Sequence, residues 1–220
     1  GTNIQGRRYS DRAGNIAIVG VQGCLDPNKE EYGYNADDRG DSMSSYIGGR
    51  IKGALNINVS AGEINGNIWG AYADSRIDGG THITLSGGVV NGDVNLGVAE
   101  YNAYVGASDV TITNNAVVNG TIYGKMKADS RAEERYMESA TLNIGTESQA
   151  YNGTKTLKVA DFDTINVAKG STASVENLEY NLTGAIAGSR NNVKEGANFT
   201  VEGDIVNNLD NVTNDASFVA

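Results

Sequence analysis

Residues 57–70 read INVSAGEINGNIWG, residues 83–97 read ITLSGGVVNGDVNLG, and residues 110–124 read VTITNNAVVNGTIYG. Aligned on their Asn-Gly pairs, Asn65-Gly66, Asn91-Gly92 and Asn119-Gly120, the three stretches repeat at intervals of 26 and 28 residues. An apolar residue precedes each pair (Ile64, Val90, Val118), and another stands two places after each glycine (Ile68, Val94, Ile122). Upstream, each copy carries a short alternating stretch: Ile57/Val59, Ile83/Leu85 and Val110/Ile112. The segments between copies echo one another too, since Ala73-Asp74-Ser75-Arg76 returns as Ala128-Asp129-Ser130-Arg131.

Alternation with period two places the apolar residues of each short strand on one face. A single copy cannot bury that face, but copies stacked at about 4.8 Å bury all of them in one column. Equivalent residues then lie above one another. Ile68, Val94 and Ile122 fall inside, and Asn65, Asn91 and Asn119 form a ladder at a corner, where stacked amides can hydrogen-bond along the axis. Asn and Gly also accept the left-handed backbone of a tight corner. The expected fold is therefore all-β: a parallel β-helix or β-solenoid with loop excursions, making roughly seven to nine coils at about 25 residues each.

Working outward, weaker copies flank the clear ones. Gly49-Arg50-Ile51-Lys52-Gly53 has the glycine-flanked shape, and Val201-Glu202-Gly203-Asp204-Ile205 matches Val90-Asn91-Gly92-Asp93-Val94. TLNIGTE (141–147), LKVADFDTINVAKGSTASV (157–175) and NLTGAIAGS (181–189) are strand-like with turn punctuation. Two regions break the pattern. Residues 125–140, KMKADSRAEERYMESA, are rich in helix formers and charge and read as an excursion that admits a short helix. Residues 26–46 are irregular, polar and Asp-rich. The expected division is an N-terminal irregular or capping region with the first strands over 1–46, then one continuous solenoid over 47–220.

Composition narrows the function classes. The chain has 220 residues, a net charge of −10, 29 glycines and one proline. Gly-rich, Pro-poor and without a Gly-X-Y period, it is not collagen. An acidic surface argues against nucleic acid, which needs Lys and Arg to neutralise phosphate, and against docking on anionic lipid. It suits an extracellular or cell-surface protein. No apolar run is long enough for a transmembrane helix. No signal peptide opens the chain, so if the protein is exported Gly1 follows a cleavage point or a cloning junction. The single cysteine, Cys24, cannot form an internal disulfide and reads as a small buried apolar residue.

The copies INVSAGEINGNIWG and ITLSGGVVNGDVNLG, with FDTINVAKGSTASV (162–175), resemble the β-helical passenger domains of bacterial autotransporters and related surface adhesins. The resemblance covers about residues 47–210. It implies a right-handed helix, export across a Gram-negative envelope and display at the bacterial surface. The chain lacks a C-terminal series of amphipathic strands that could close a membrane barrel, so it reads as a passenger segment or a free-standing relative.

Candidate chemistry is sparse. His82 is the one histidine, with no accompanying Ser or Cys motif, and there is no zinc ligand set. Asp37, Asp38 and Asp41 cluster with Asn35 in a Gly-containing loop, where hard oxygen ligands suit calcium, although the spacing is not that of an EF-hand and a solvated acidic loop is the favoured reading. Arg39-Gly40-Asp41 is an integrin-type tripeptide. Tyr32 and Tyr34 beside it, and Trp69 and Tyr123 in the repeat, could stack on sugar or protein. Carboxylates that could cleave a polysaccharide would have to stand in register on successive coils. Glu63 aligns instead with Val89 and Val117.

Three functions remain. The leading expectation is a non-catalytic, adhesin-like solenoid that presents loops 26–46 and 125–140 to a host protein or glycan. The alternative is a structural subunit that stacks head to tail into a surface filament or layer, because solenoid ends expose unpaired strand edges and only GRRYSDRAGN, near the N-terminus, is polar enough to cap one. The third is a polysaccharide-active β-helix enzyme.

Overall fold

The computed structural model describes residues 3–5, 7–10, 14–22, 50–72, 75–97, 103–124, 135–179, 198–201, 204–207 and 217–219. Among them every regular element is a strand and no helix occurs. The strands form four sheets, and all pairings are parallel except one.

A complete copy visits the sheets in a fixed order. Sheet 1 contains β4 (Arg50–Ile51), β8 (Arg76–Ile77), β12 (Ala103–Val105) and β16 (Arg135–Met137). Sheet 2 contains β5 (Leu55–Val59), β9 (Thr81–Leu85), β13 (Ser108–Ile112), β17 (Ala140–Ile144), β19 (Thr164–Val167), β21 (Asn198–Val201) and β23 (Ser217–Val219). Sheet 3 contains β1 (Asn3–Gln5), β6 (Glu63–Asn65), β10 (Val89–Val90) and β14 (Val117–Val118). Sheet 4 contains β2 (Arg7–Ser10), β3 (Gly14–Gln22), β7 (Asn67–Tyr72), β11 (Val94–Asn95), β15 (Thr121–Tyr123), β18 (Leu157–Ala160), β20 (Thr172–Glu179) and β22 (Asp204–Asn207).

From β3 onward, successive strands in the chain lie in different sheets, and each pairs with the equivalent strand of the next copy. The register is residue on residue. Ile57 pairs with Ile83, Ile83 with Val110, Val110 with Leu142 and Leu142 with Ile165. In sheet 4, Ile68 pairs with Val94, Val94 with Ile122 and Ile122 with Val159. These columns alternate with outward residues, as the buried/half-buried pattern of β9, β13 and β17 shows. Their inward side chains meet in a single core cluster to which all four sheets contribute, including Ile57, Ile64, Ile68 and Ile77. Each fully buried Ile, Leu or Val in it contributes about 1.5–3 kcal/mol relative to exposure, so the columns supply the main cohesion.

The corners set the glycines. Gly66, Gly92 and Gly120 stack at the turn from sheet 3 into sheet 4, and a Cβ on Gly120 would lie 2.5 Å from the carbonyl carbon of Gly92. Glycine there answers to the neighbouring copy's backbone. At Gly80, φ is +80°, which itself favours glycine.

Several expectations are corrected by the register. The Gly49–Gly53 match, only 17 residues before Gly66 and so open to being part of the same coil, contributes β4 to the copy that contains Gly66: Ile51 belongs to sheet 1 and pairs with Ile77. Val201 does not correspond to Val90; it pairs with Val167 in sheet 2, and Ile205 pairs with Ala173 in sheet 4. Of the segment 125–140, which admitted a short helix, residues 135–137 form β16 in register with Ala103–Val105, and residues 125–134 lie outside the described residues. In residues 135–137 backbone pairing in the sheet overrides helix propensity.

The copies also change along the chain. Described strands of sheets 1 and 3 end at β16 and β14, whereas later strands alternate between sheets 2 and 4 only. Where β17 passes to β18 without a sheet 3 strand, Tyr151 makes a parallel bridge to Asn114 and fills the interior. At the other end, β2 pairs antiparallel with β3 and forms the outer edge of sheet 4.

The packing of one corner on the next predicts that Gly120→Ala lowers stability by about 1–3 kcal/mol through overpacking. Gly53→Ala, where a Cβ would meet nothing within 4 Å, should change it by less than about 0.5 kcal/mol. Denaturant unfolding of both variants reads the difference.

Candidate functional site

At the corner from sheet 3 to sheet 4 the strand ladder breaks, and side chains take over its hydrogen bonds. Asn91 Nδ2 donates to Asn65 Oδ1 at 2.5 Å and to Glu63 Oε1 at 2.7 Å, and Asn119 Nδ2 donates to Asn91 Oδ1 at 2.6 Å. One step inward, Asn67 Oδ1 accepts from the Asp93 amide at 2.8 Å, and Asp93 Oδ1 accepts from the Thr121 amide at 2.9 Å. The same substitution recurs elsewhere, with Ser108 Oγ accepting from the Thr81 amide and Ser171 Oγ from the Tyr151 amide, both at 2.9 Å. Short Asn, Asp and Ser side chains suit this work because they reach neighbouring backbone and lose little freedom. Ile68, Val94 and Ile122, beside this corner, are fully buried.

The outer face of sheet 2 is the most regular surface in the described structure. It is built from five triplets, each an inward apolar residue between two outward polar ones: Asn56-Ile57-Asn58, His82-Ile83-Thr84, Asp109-Val110-Thr111, Thr141-Leu142-Asn143 and Thr164-Ile165-Asn166. The outward members are half-buried, except on the edge strand β5, where they are exposed. They are joined to one another. His82 Nδ1 contacts Asp109 Oδ1, and Thr111 Oγ1 donates to Asp109 Oδ2 at 3.2 Å. Asn143 Nδ2 donates to Thr111 Oγ1 at 3.3 Å, and Asn166 Nδ2 donates to Asn143 Oδ1 at 2.9 Å. Sequence reasoning followed the inward residues and missed this face. Its signal was the recurring polar-apolar-polar triplet.

The residues singled out in the sequence are distributed as follows. Asp37, Asp38 and Asp41, the calcium candidates, lie outside the described residues, as do Arg39, Gly40, Tyr32, Tyr34 and Cys24. Trp69 registers with Val19 and Asn95, but it is fully buried outside the core cluster and so offers no ring to a sugar. Tyr123, in the same column, is half-buried. Glu63 registers with Asn3 and Val89, and Val89 with Val117, so no second carboxylate stands above it in sheet 3. Among the described residues no group of three or more His, Cys, Asp or Glu side chains could hold a metal ion, and no helix is long and apolar enough to cross a membrane.

Comparison with protein-family models, with curated proteins and with solved structures found no match.

Tyr151 carries the clearest electrostatic signature. Its side chain is fully buried, its hydroxyl has no hydrogen-bond partner, and burial pushes its pKa up from 10.0 to about 12. The folded state thus holds the neutral phenol, while the unfolded chain ionises first. Stability from this group is complete below pH 10 and is lost as pH rises through about 12. Tyr151→Phe removes the unsatisfied hydroxyl. It should raise stability near neutral pH by about 1–2 kcal/mol and flatten the alkaline decline, as read by unfolding at neutral and alkaline pH.

Proposed function

We propose that the chain is a parallel, right-handed β-solenoid acting as a non-catalytic display module outside the cell, like the autotransporter passengers and surface adhesins that its repeats resemble. A parallel α/β barrel requires a crossover helix between successive parallel strands. Here β5 reaches β6 through residues 60–62, β6 reaches β7 through Gly66 alone, and each pairs with the next copy instead of with its successor. That connectivity supports the solenoid reading.

The observation that carries the display reading concerns insertions. The segments 23–49, 125–134 and 180–197 all follow strands of sheet 4, namely β3, β15 and β20. Turns from sheet 1 to sheet 2 and from sheet 3 to sheet 4 stay short. One edge of the stack thus tolerates variation in length, while the others are held by stacked glycines and side-chain ladders. The tolerant segments include Tyr32, Tyr34 and Arg39-Gly40-Asp41, and variable segments on a rigid scaffold are where binding residues concentrate. The partner class is a host protein or glycan.

The second reading, a self-assembling subunit, draws support from sheet 2. Its outermost described strands, β5 and β23, are parallel, and a second copy could extend the sheet at either edge. The antiparallel β2 weighs against it, because a strand of that direction ends the parallel pattern of sheet 4.

Light scattering and negative-stain microscopy of the purified protein separate the two. The display reading predicts monodisperse 23.1 kDa rods. It further predicts that replacing residues 26–46 with a short Gly-Ser linker preserves the melting transition and abolishes attachment to host-cell surfaces. Filaments would favour the subunit reading, and unchanged attachment would remove 26–46 from the binding role.

A further inference from the structure

The outer face of sheet 2 is unusual in what it lacks. A fifth of the chain is charged and its net charge is −10. Yet the ten outward positions of the five triplets include no Lys, Arg or Glu, and the single carboxylate, Asp109, is paired with His82. Every other outward side chain there is an uncharged hydroxyl or amide. The one aromatic ring on the face is the His82 imidazole, held against Asp109, so ring stacking cannot repeat along it.

The face is also preorganised. The His82–Asp109 contact and the Asp109–Thr111–Asn143–Asn166 hydrogen bonds tie four successive strands, β9, β13, β17 and β19, together on the outside. Side chains held in this way have already lost the rotamer freedom that a ligand would otherwise have to remove. The hydroxyls and amides repeat at the strand spacing, about 4.8 Å along the stack, and at about 6.6 Å along each strand. Thr111, Asn143 and Asn166 keep hydrogen-bonding capacity beyond their ladder bonds.

We propose that this face binds a neutral, extended polysaccharide lying across the strands, parallel to the stacking direction. Charge complementarity selects the class. A polyanion would meet an acidic protein with no cation on this face, a basic partner would find only one carboxylate and that one already paired, and an apolar partner would find no apolar patch. A neutral chain of sugars offers hydroxyl donors and acceptors at a repeat comparable with the strand spacing, and it sacrifices no charge hydration on docking. The ladders also brace the stack itself; binding uses the hydrogen-bonding capacity they leave over. The face is built from residues of β5, β9, β13, β17 and β19 and includes none of segments 23–49 and 125–134, so the proposal does not depend on the display reading.

Native affinity electrophoresis of the whole chain tests it, with hydroxyethyl cellulose, a neutral β-linked glucan, in one gel and carboxymethyl cellulose, the same backbone made anionic, in another. The expected result is retardation by the neutral polymer and none by the anionic one. Thr84→Glu with Thr141→Glu puts unpaired charge on the face at two outward positions, and the pair should weaken retardation by about tenfold or more. Thr141→Val keeps the shape and removes one hydroxyl, and should weaken it measurably while the melting transition stays in place. The proposal is overturned if the wild-type chain runs identically with and without the neutral polymer, or if the folded variants are retarded as strongly as wild type. Self-association that the Glu pair abolishes, without any retardation, would also overturn it and assign the face to a second copy.

Discussion

Each copy of this repeat can bury its apolar face only because the next copy pairs with it in register. A strand of two to five residues has too few contacts to be stable alone, and even an isolated two-stranded hairpin is marginal. In sheet 2, Ile57, Ile83, Val110, Leu142 and Ile165 form one column because the backbone ladder fixes them opposite one another. A slip of one residue would turn that column outward and bring Asn58, Thr84 and Thr111 into the core. The ladder and the hydrophobic column therefore depend on each other.

The corners show the same dependence in another form. Where strands turn, backbone amides lose their ladder partners, and a buried unsatisfied group is costly. Asn67, Asp93, Ser108 and Ser171 supply side-chain acceptors to the neighbouring copy's amides. Gly92 and Gly120 let the corners approach closely enough for those bonds to form. The turn chemistry thus follows from the stacking distance, and the stacking distance from the pairing. The long segments 23–49, 125–134 and 180–197 all follow sheet 4 strands in the chain.

Much of this was legible in the residues. The Asn-Gly alignment identified Ile64, Val90 and Val118 as equivalent, and Ile68, Val94 and Ile122 likewise, because their spacing repeats and their chemistry is uniform. An isolated match was misleading. Val201–Ile205 shares the order of apolar residue, Gly, Asp and apolar residue with Val90–Val94, but a five-residue pattern does not specify a sheet, and pairing places Val201 in sheet 2. Among the described residues no sheet 1 strand follows β16 and no sheet 3 strand follows β14, and this left no local mark, since it depends on which strand the chain reaches next. The repeat left Trp69 open to two readings, an exposed ring or ordinary packing at a coil edge, and burial outside the core cluster favours packing. The outer face of sheet 2 could have been found, because its triplets alternate as regularly as the core does.

The account rests on copy-to-copy register, and backbone nuclear Overhauser contacts in the isotope-labelled protein measure it directly. The predicted result is a chain of interstrand contacts of parallel type running from Ile57 to Ile83, Val110 and Leu142, with a second chain through Ile68, Val94 and Ile122. Contacts of antiparallel type that join consecutive strands within one copy, such as β5 with β6, would contradict it.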